Sequence, residues 1–333
     1  MRQKPLGSVV GALPIVLAGL LIAWGVGLCG SGDEIAPGMA ASQPRAPSST
    51  APSAHSVIHA VGQADLANLA ASTLISTTPC LPDILKNLEG TLPAWWQPPP
   101  NTSWQWQLTD PIDLSFDVEM YDIDLFDNTA STVAALHAQG RKVLCYISVG
   151  SWEEWRPDAD QFPESVLGND YEGWPGERWL DIHQIELLAP IMRARFDLCQ
   201  AKGFDGIEPD NVDGYTNDTG FDLTYQDQLN YNIWLANEAH ARGLSIGLKN
   251  DDGQVGDLLP HFDWAMTEDC FADEWCAGME PFIAAGKAVF AAEYTDQMTI
   301  NQFLNQVCPQ AEAMDFSAIL KARDLDAWRR GCP

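Results

Sequence analysis

Residues 203–215 read GFDGIEPDNVDGY, and the parsing of this stretch decides the fold. Gly-Phe-Asp-Gly-Ile has the composition of a short buried strand opening, whereas a solvated acidic loop would not carry apolar residues in that order. Pro209 then breaks the strand where it leaves a sheet. The acids Asp205, Glu208, Asp210 and Asp213 are thereby spread along a strand and its exit. Side chains alternate along a strand, so Glu208 and Asp210 share one face. Carboxylates gathered at a strand exit are a common way to build an active site.

On either side, short apolar runs alternate with helical patterns. The strand candidates are WQWQL (104–108), VEMYDID (118–124), KVLCYISV (142–149), DGIEPD (205–210), LSIGLK (244–249), FDWAMTE (262–268), KAVFAAE (287–293) and FSAIL (316–320). Between them lie segments such as TASTVAALHAQG and TYQDQLNYNIWLANEAHARG, which end at Gly140 and Gly243 as helix C-termini do. Alternating β and α predicts a parallel sheet, and eight such units predict an α/β chain closed as a (β/α)8 TIM barrel. An open doubly wound sheet is the alternative, but no Gly-rich phosphate fingerprint follows the first strand.

Barrel enzymes place their chemistry at the C-terminal ends of the strands. Here those ends carry Asp122 and Asp124, then Tyr146 and Ser148, then Glu208 and Asp210, then Lys249, Asn250 and Asp251, then Glu268, then Glu293 and Tyr294. Acids interleaved with aromatics suit glycoside hydrolysis, in which one carboxylic acid protonates the leaving oxygen and a second carboxylate attacks carbon or activates water. A divalent metal is the competing reading of the same acids. The absence of His among them disfavours most transition metals but not magnesium or calcium, and no zinc-type Cys/His spacing occurs. Neither a metal nor another cofactor is expected.

The chain has 333 residues and a formal net charge of −28. Such an excess repels phosphates and argues against nucleic acid, while it attracts a cationic substrate. The 13 Trp fit sugar-stacking surfaces as well as a core. Arg2 and Lys4 precede an apolar run over residues 9–28, and Val26-Gly27-Leu28-Cys29 is lipobox-like. Residues 1–30 therefore read as a signal peptide or a membrane or lipid anchor, with the remainder exported. Residues 31–103 read as a Pro/Ala/Ser linker and lead-in, and 104–333 as the barrel domain, expected to be monomeric. Outside the cytoplasm thiols tend to pair. Cys270 with Cys276, and Cys308 with Cys332, can close loops, whereas Cys145 reads as a buried free thiol.

The motifs GFDGIEPDNVDGYTNDTGF, GLKND, TEDCFADEWC and GKAVFAAEY, in this order, resemble glycoside hydrolase family 114, and KVLCYISVGSWEEWRPD and WPGERWLDI fit the same pattern. That resemblance covers roughly residues 104–333. It implies a (β/α)8 barrel and endo-α-1,4-polygalactosaminidase activity on a galactosamine-rich, cationic polysaccharide. One departure is Thr267-Glu268-Asp269-Cys270, where the family usually has Asn-Glu-Gln-Cys; the glutamate is kept. A chitinase-like D-x-x-D-x-D-x-E scheme maps onto Asp205, Glu208 and Asp210, but Val212 stands where its general acid belongs. A non-catalytic glycan-binding lipoprotein on the same scaffold is the reading from another class.

The expected catalytic residues are Asp210 and Glu268, with Glu208 one layer deeper. The expected substrate-binding residues are Asp124, Tyr146, Ser148, Trp152, Trp179, Asp181, Asn211, Asp213, Tyr215, Lys249, Asn250, Asp251, Glu293 and Tyr294.

Overall fold

The computed structural model describes residues 95–333; the expected export segment and most of the linker lie outside the described residues. Among the described residues, no helix is long and apolar enough to cross a membrane. The strands are β1 (Trp104–Trp106), β2 (Met120–Asp124), β3 (Lys142–Ser148), β4 (Ser151–Glu153), β5 (Leu167–Asp170), β6 (Glu177–Leu180), β7 (Gly206–Asp210), β8 (Ser245–Lys249), β9 (Trp264–Glu268), β10 (Val289–Tyr294), β11 (Ser317–Lys321) and β12 (Arg329–Gly331). The helices are α1 (Ala130–Ala138), α2 (Ile185–Lys202), α3 (Tyr225–His240), α4 (Val255–Leu258), α5 (Glu280–Ala284), α6 (Ile300–Gln302) and α7 (Cys308–Ala313), the last two joined by a π-helical segment, Phe303–Val307.

One sheet runs β1-β2-β3-β7-β8-β9-β10-β11-β12, with every ladder parallel except the last. The eight parallel strands are those expected from the sequence, and they form the barrel. The antiparallel β12 fills the seam between β11 and β1. Across that seam Trp104 Nε1 donates to Ser317 O at 2.8 Å and Gln105 Nε2 donates to Ala327 O at 2.9 Å. Backbone N–H groups of Leu108 and Thr109 both donate to Leu325 O.

Alternation sorts the strand residues into two cores. Trp104, Trp106, Met120, Leu144, Trp264, Met266, Phe290 and Ile319 pack inside the barrel, while Tyr121, Ile123, Val143, Ile207 and Ile246 face the helices. Gly247 is required by this interior: a Cβ there would stand 2.3 Å from the Trp264 ring. The helices start and stop where the sequence caps them. Thr224 and Asp227 form a reciprocal capping box on α3, and Gly203, at φ 90°, terminates α2 just ahead of β7.

Three features differ from the sequence expectation. Cys145 is not a free thiol. It lies between inward Leu144 and Tyr146, so it faces the helical layer, where it is bonded to Cys199 of α2. The other pairs, Cys270–Cys276 and Cys308–Cys332, are as expected. Between β3 and α2 the chain builds a separate antiparallel sheet, β4-β6-β5, which the sequence reading left as loop. The lead-in also packs before Trp104. Trp95 stacks on His240 at 4.0 Å and its Nε1 donates to Asp263 Oδ1 at 3.0 Å.

Candidate active site

At the C-terminal ends of the parallel strands lies a cleft of about 900 Å³. Its floor is organised by Lys249 at the end of β8, which is 2% exposed. The ammonium sits 2.7 Å from Glu208 Oε1, 3.1 Å from Asp210 Oδ1 and 3.2 Å from Glu268 Oε2, and lies 4.6 Å from the centroid of the Trp106 ring. Three adjacent strands, β7, β8 and β9, thus deliver their inward-facing terminal residues to one point.

The two upper acids are further tied. Tyr146 OH donates to Asp210 Oδ2 at 3.0 Å. Glu268 accepts from Tyr294 OH and, at 3.2 Å, from Asn250 Nδ2; its own N–H donates to Asn250 Oδ1 at 2.8 Å. Burial alone would raise the Glu268 carboxyl, but Lys249, Tyr294 and Asn250 together hold it below the ordinary carboxylate range. Glu208 is fully buried beneath this pair and does not line the cleft.

Each of these strands is followed at once by a left-handed residue: Asn211 at φ 64°, Asn250 at 57° and Asp269 at 53°. Asn and Asp are the side chains that tolerate this region best. Asn211 is held there by its Nδ2, which donates to Ser148 Oγ and Ser151 Oγ at 2.9 Å and to Glu177 Oε1 at 3.1 Å. Its carbonyl crosses so close to Gly150 that a Cβ there would lie 1.6 Å from the oxygen.

The rest of the cleft is acidic. Asp124, Asp127, Glu153, Glu177, Asp213 and Asp324 join Asp210 and Glu268 along its walls. The cations present are already matched: Arg156 bridges Asp124 and Glu153, and Arg323 bridges Asp269 and Asp296. Burial pushes Glu177 up to about 7 and Asp213 up to about 6, the negative charge of Asp210 adding to both. Aromatic side chains from the loops of the antiparallel sheet also line the cleft: Trp155 and Trp174 are 51% and 52% exposed, and Tyr171 lines it with them.

Of the residues expected from the sequence, the cleft gathers Asp124, Tyr146, Asn211, Asp213, Lys249, Asn250, Tyr294, Asp210 and Glu268. The others lie outside it. Glu293 alternates with inward Tyr294, so it points outward and accepts from the N–H groups of Phe271 and Ala272. Asp251 accepts from Tyr215 OH and from Asn232 Nδ2, both at 3.2 Å, behind the strand ends. Asp181 caps a 3-10 turn and holds His183. Ser148 supports Asn211. Trp152 donates its Nε1 to Ala159 O, and Trp179 is 5% exposed against Tyr171. Asp205 sits at the opposite end of the barrel, bonded to His137 and Lys142. Residues not anticipated include Trp106, Asp127, Arg156, Tyr171, Trp174, Glu177, Arg323 and Asp324. For Trp174 the sequence does hold a signal, a Trp beside Pro175-Gly176 in WPGERW.

Two carboxyl groups reaching an open, aromatic-rimmed cleft from separate strands are the equipment for cleaving a glycosidic bond, and by class the molecule is a barrel glycoside hydrolase. The profile of glycoside-hydrolase family GH114 matches residues 86–333, and the chain belongs to that family. Among solved structures it is similar to Aspergillus fumigatus Ega3 in complex with galactosamine, at 43% identity over 71% of this chain and 97% of that one, with a TM-score of 0.68. It also shares its fold with the glycoside hydrolase domain of PelA from Pseudomonas aeruginosa, at 13% identity over 71% of this chain and 99% of that one, TM-score 0.55. No curated protein matched.

Proposed function

We propose that this hydrolase cleaves internally in α-1,4-linked, galactosamine-rich polysaccharide, with Asp210 and Glu268 as the catalytic pair. The observation that carries the pair is their shared hold on Lys249 at the cleft floor. Because the two oxygens sit on one nitrogen, they are no further apart than those two contacts laid end to end. Nearest oxygens held that close suit the ~5–5.5 Å carboxyl spacing of a retaining pair better than the ~6.5–9.5 Å of an inverting one. Galactosamine units bring ammonium groups, and the unmatched carboxylates of the cleft offer them charge-assisted partners. Binding an ammonium would also drive the raised Glu177 and Asp213 carboxyls to ionise. Trp155 and Trp174 supply faces for sugar rings. The galactosamine bound to the related Ega3 structure supports the choice of sugar. The basic start and apolar run over residues 9–28 support export, with attachment at the membrane through that segment.

Oligomer release from galactosamine polymer, chitin and chitosan tests the substrate. Cleavage of the first, with Glu268→Gln and Asp210→Asn each reducing turnover by at least ~10²-fold while binding persists, is the expected result. Azide rescue in one of the two variants assigns the nucleophile, and the anomer first released reads the stereochemistry. Efficient chitin cleavage with no action on galactosamine polymer would overturn the substrate, and near-normal turnover in Glu268→Gln would overturn the pair.

A further inference from the structure

Below Lys249 the barrel contains a second carboxyl that the chemistry above does not use. Asp122 is the inward residue of β2, between Met120 and Asp124, and is 0% exposed. Its register neighbours are Trp106 on β1 and Leu144 on β3, neither of which titrates. The charged groups that face it are Glu208 and Asp210 of β7 and Lys249 of β8, and its carboxyl meets that of Glu208 within hydrogen-bonding reach. Both Asp122 oxygens and Glu208 Oε2 nevertheless lack any partner that could donate to them. Two ionised carboxylates are acceptors only and cannot bond to one another, so a buried arrangement of this kind is satisfied by a single proton between them.

We propose that Asp122 is a protonated, neutral acid that donates a hydrogen bond to Glu208 Oε2, and that it acts as a positioning residue: it keeps Glu208 anionic and so anchors Lys249 beneath Asp210 and Glu268. The proton belongs on Asp122 because Glu208, not Asp122, holds the ammonium, at 2.7 Å. Burial pushes both groups up, Asp122 well above its ordinary range and Glu208, opposed by Lys249, only to about 7. Without the donor, Glu208 takes the proton itself. Lys249 then turns wholly to Asp210 and Glu268 and holds both as anions, so the acid needed for leaving-group protonation is lost at lower pH. This positioning role rests on the catalytic pair proposed above; the protonation state of Asp122 does not.

The test uses Asp122→Asn and Asp122→Leu in the full chain. Asparagine keeps a neutral donor, so kcat stays within about twofold and the pH profile is unmoved. Leucine removes the donor, lowers kcat on the order of tenfold and moves the alkaline limb of kcat down by about one pH unit, the equivalent of one tenfold change in proton affinity. In infrared difference spectra of the folded, substrate-free protein, one protonated-carboxyl C=O band of the wild type, distinct from those of Glu177, Asp213, Asp251 and Glu293 that both forms share, disappears in Asp122→Asn. This measurement needs no activity, so it separates failure of this inference from failure of the hydrolase reading. Persistence of that band in Asp122→Asn, or an asparagine variant as impaired as the leucine variant, would overturn the proposal, and so would two variants with wild-type profiles. If Asp122→Leu does not fold, the asparagine variant and the spectrum decide.

Discussion

Lys249 meets three carboxylates in a position from which water is excluded, and its burial would lower its proton affinity if those acids did not raise it far more. The ammonium is therefore permanent, and its absence is what the acids would register. Lys249→Met removes the cation but keeps the apolar stem over Trp106. Breaking a buried ion pair in this way costs about 3–5 kcal/mol, because uncompensated charge remains. The acids respond by binding protons, so the proton affinity of Glu268 rises and the acid limb of kcat/KM moves to higher pH. A pH–rate profile on galactosamine polymer checks the direction, and an acid limb that stayed put or moved down would contradict it.

The strand terminus is the element that turns a barrel into a site here. β7, β8 and β9 each end on an inward residue and then bend through Asn211, Asn250 or Asp269. In β8 two contributions of Asn250 can be separated, since the side chain pairs with Glu268 while the backbone occupies φ 57°. Asn250→Gly removes the pairing but suits the left-handed turn. Asn250→Ala removes the pairing and keeps a Cβ at positive φ without Asn's tolerance for that region, at a cost of roughly 1 kcal/mol relative to glycine. Both variants are expected to lose turnover on the order of tenfold, with only the alanine form melting lower than the glycine form. Equal melting temperatures would show that the turn is not set by this residue. The barrel strands were legible to within two residues, because each is a buried run bounded by polar turns and the intervening helices carry their own stops. The β4-β6-β5 sheet was not legible: its strands are three or four residues long and include LGND and ERWL, which carry no alternation. Cys199 stands 54 residues from Cys145, a separation that hides their pairing until α2 is laid against β3. The site was legible where strand alternation decides orientation, as for Asp210, Lys249 and Glu268. It was misread for Glu293, one residue out of phase with Tyr294, and for Asp251 and Tyr215, which lie past the strands where alternation gives no direction.

At the scale of the molecule, burial leaves several carboxyls reluctant to ionise: Glu177 and Glu293 are pushed up to about 7, Asp213 to about 6 and Asp251 to about 8. A carboxyl whose folded value lies above its unfolded value binds more protons in the folded state. Its contribution is thus fully present below the unfolded carboxylate range and is lost as pH rises through the folded value. Lys321, lowered to about 7 by burial, acts in the opposite sense, but only above that pH. Self-repulsion at a formal charge of −28 adds to the first trend. The unfolding midpoint is expected to be higher at pH 5 than at pH 8, by roughly 5–10 °C. Calorimetry across that range checks the sign, and a midpoint that rose with pH would contradict it. The seam between β1 and β11 carries a different consequence, for the protein's synthesis. The wall is completed by residues 317–331, so a chain emerging from the ribosome holds β1 some two hundred residues before its closing strands exist. At ~5–20 residues per second this interval lasts on the order of tens of seconds. During it Trp104 and Trp106 have no finished interior to enter, and the edge of β1 remains open to other strands. Closure is therefore an act of the nearly finished chain, and the nascent barrel is the form that holdase chaperones would have to shield.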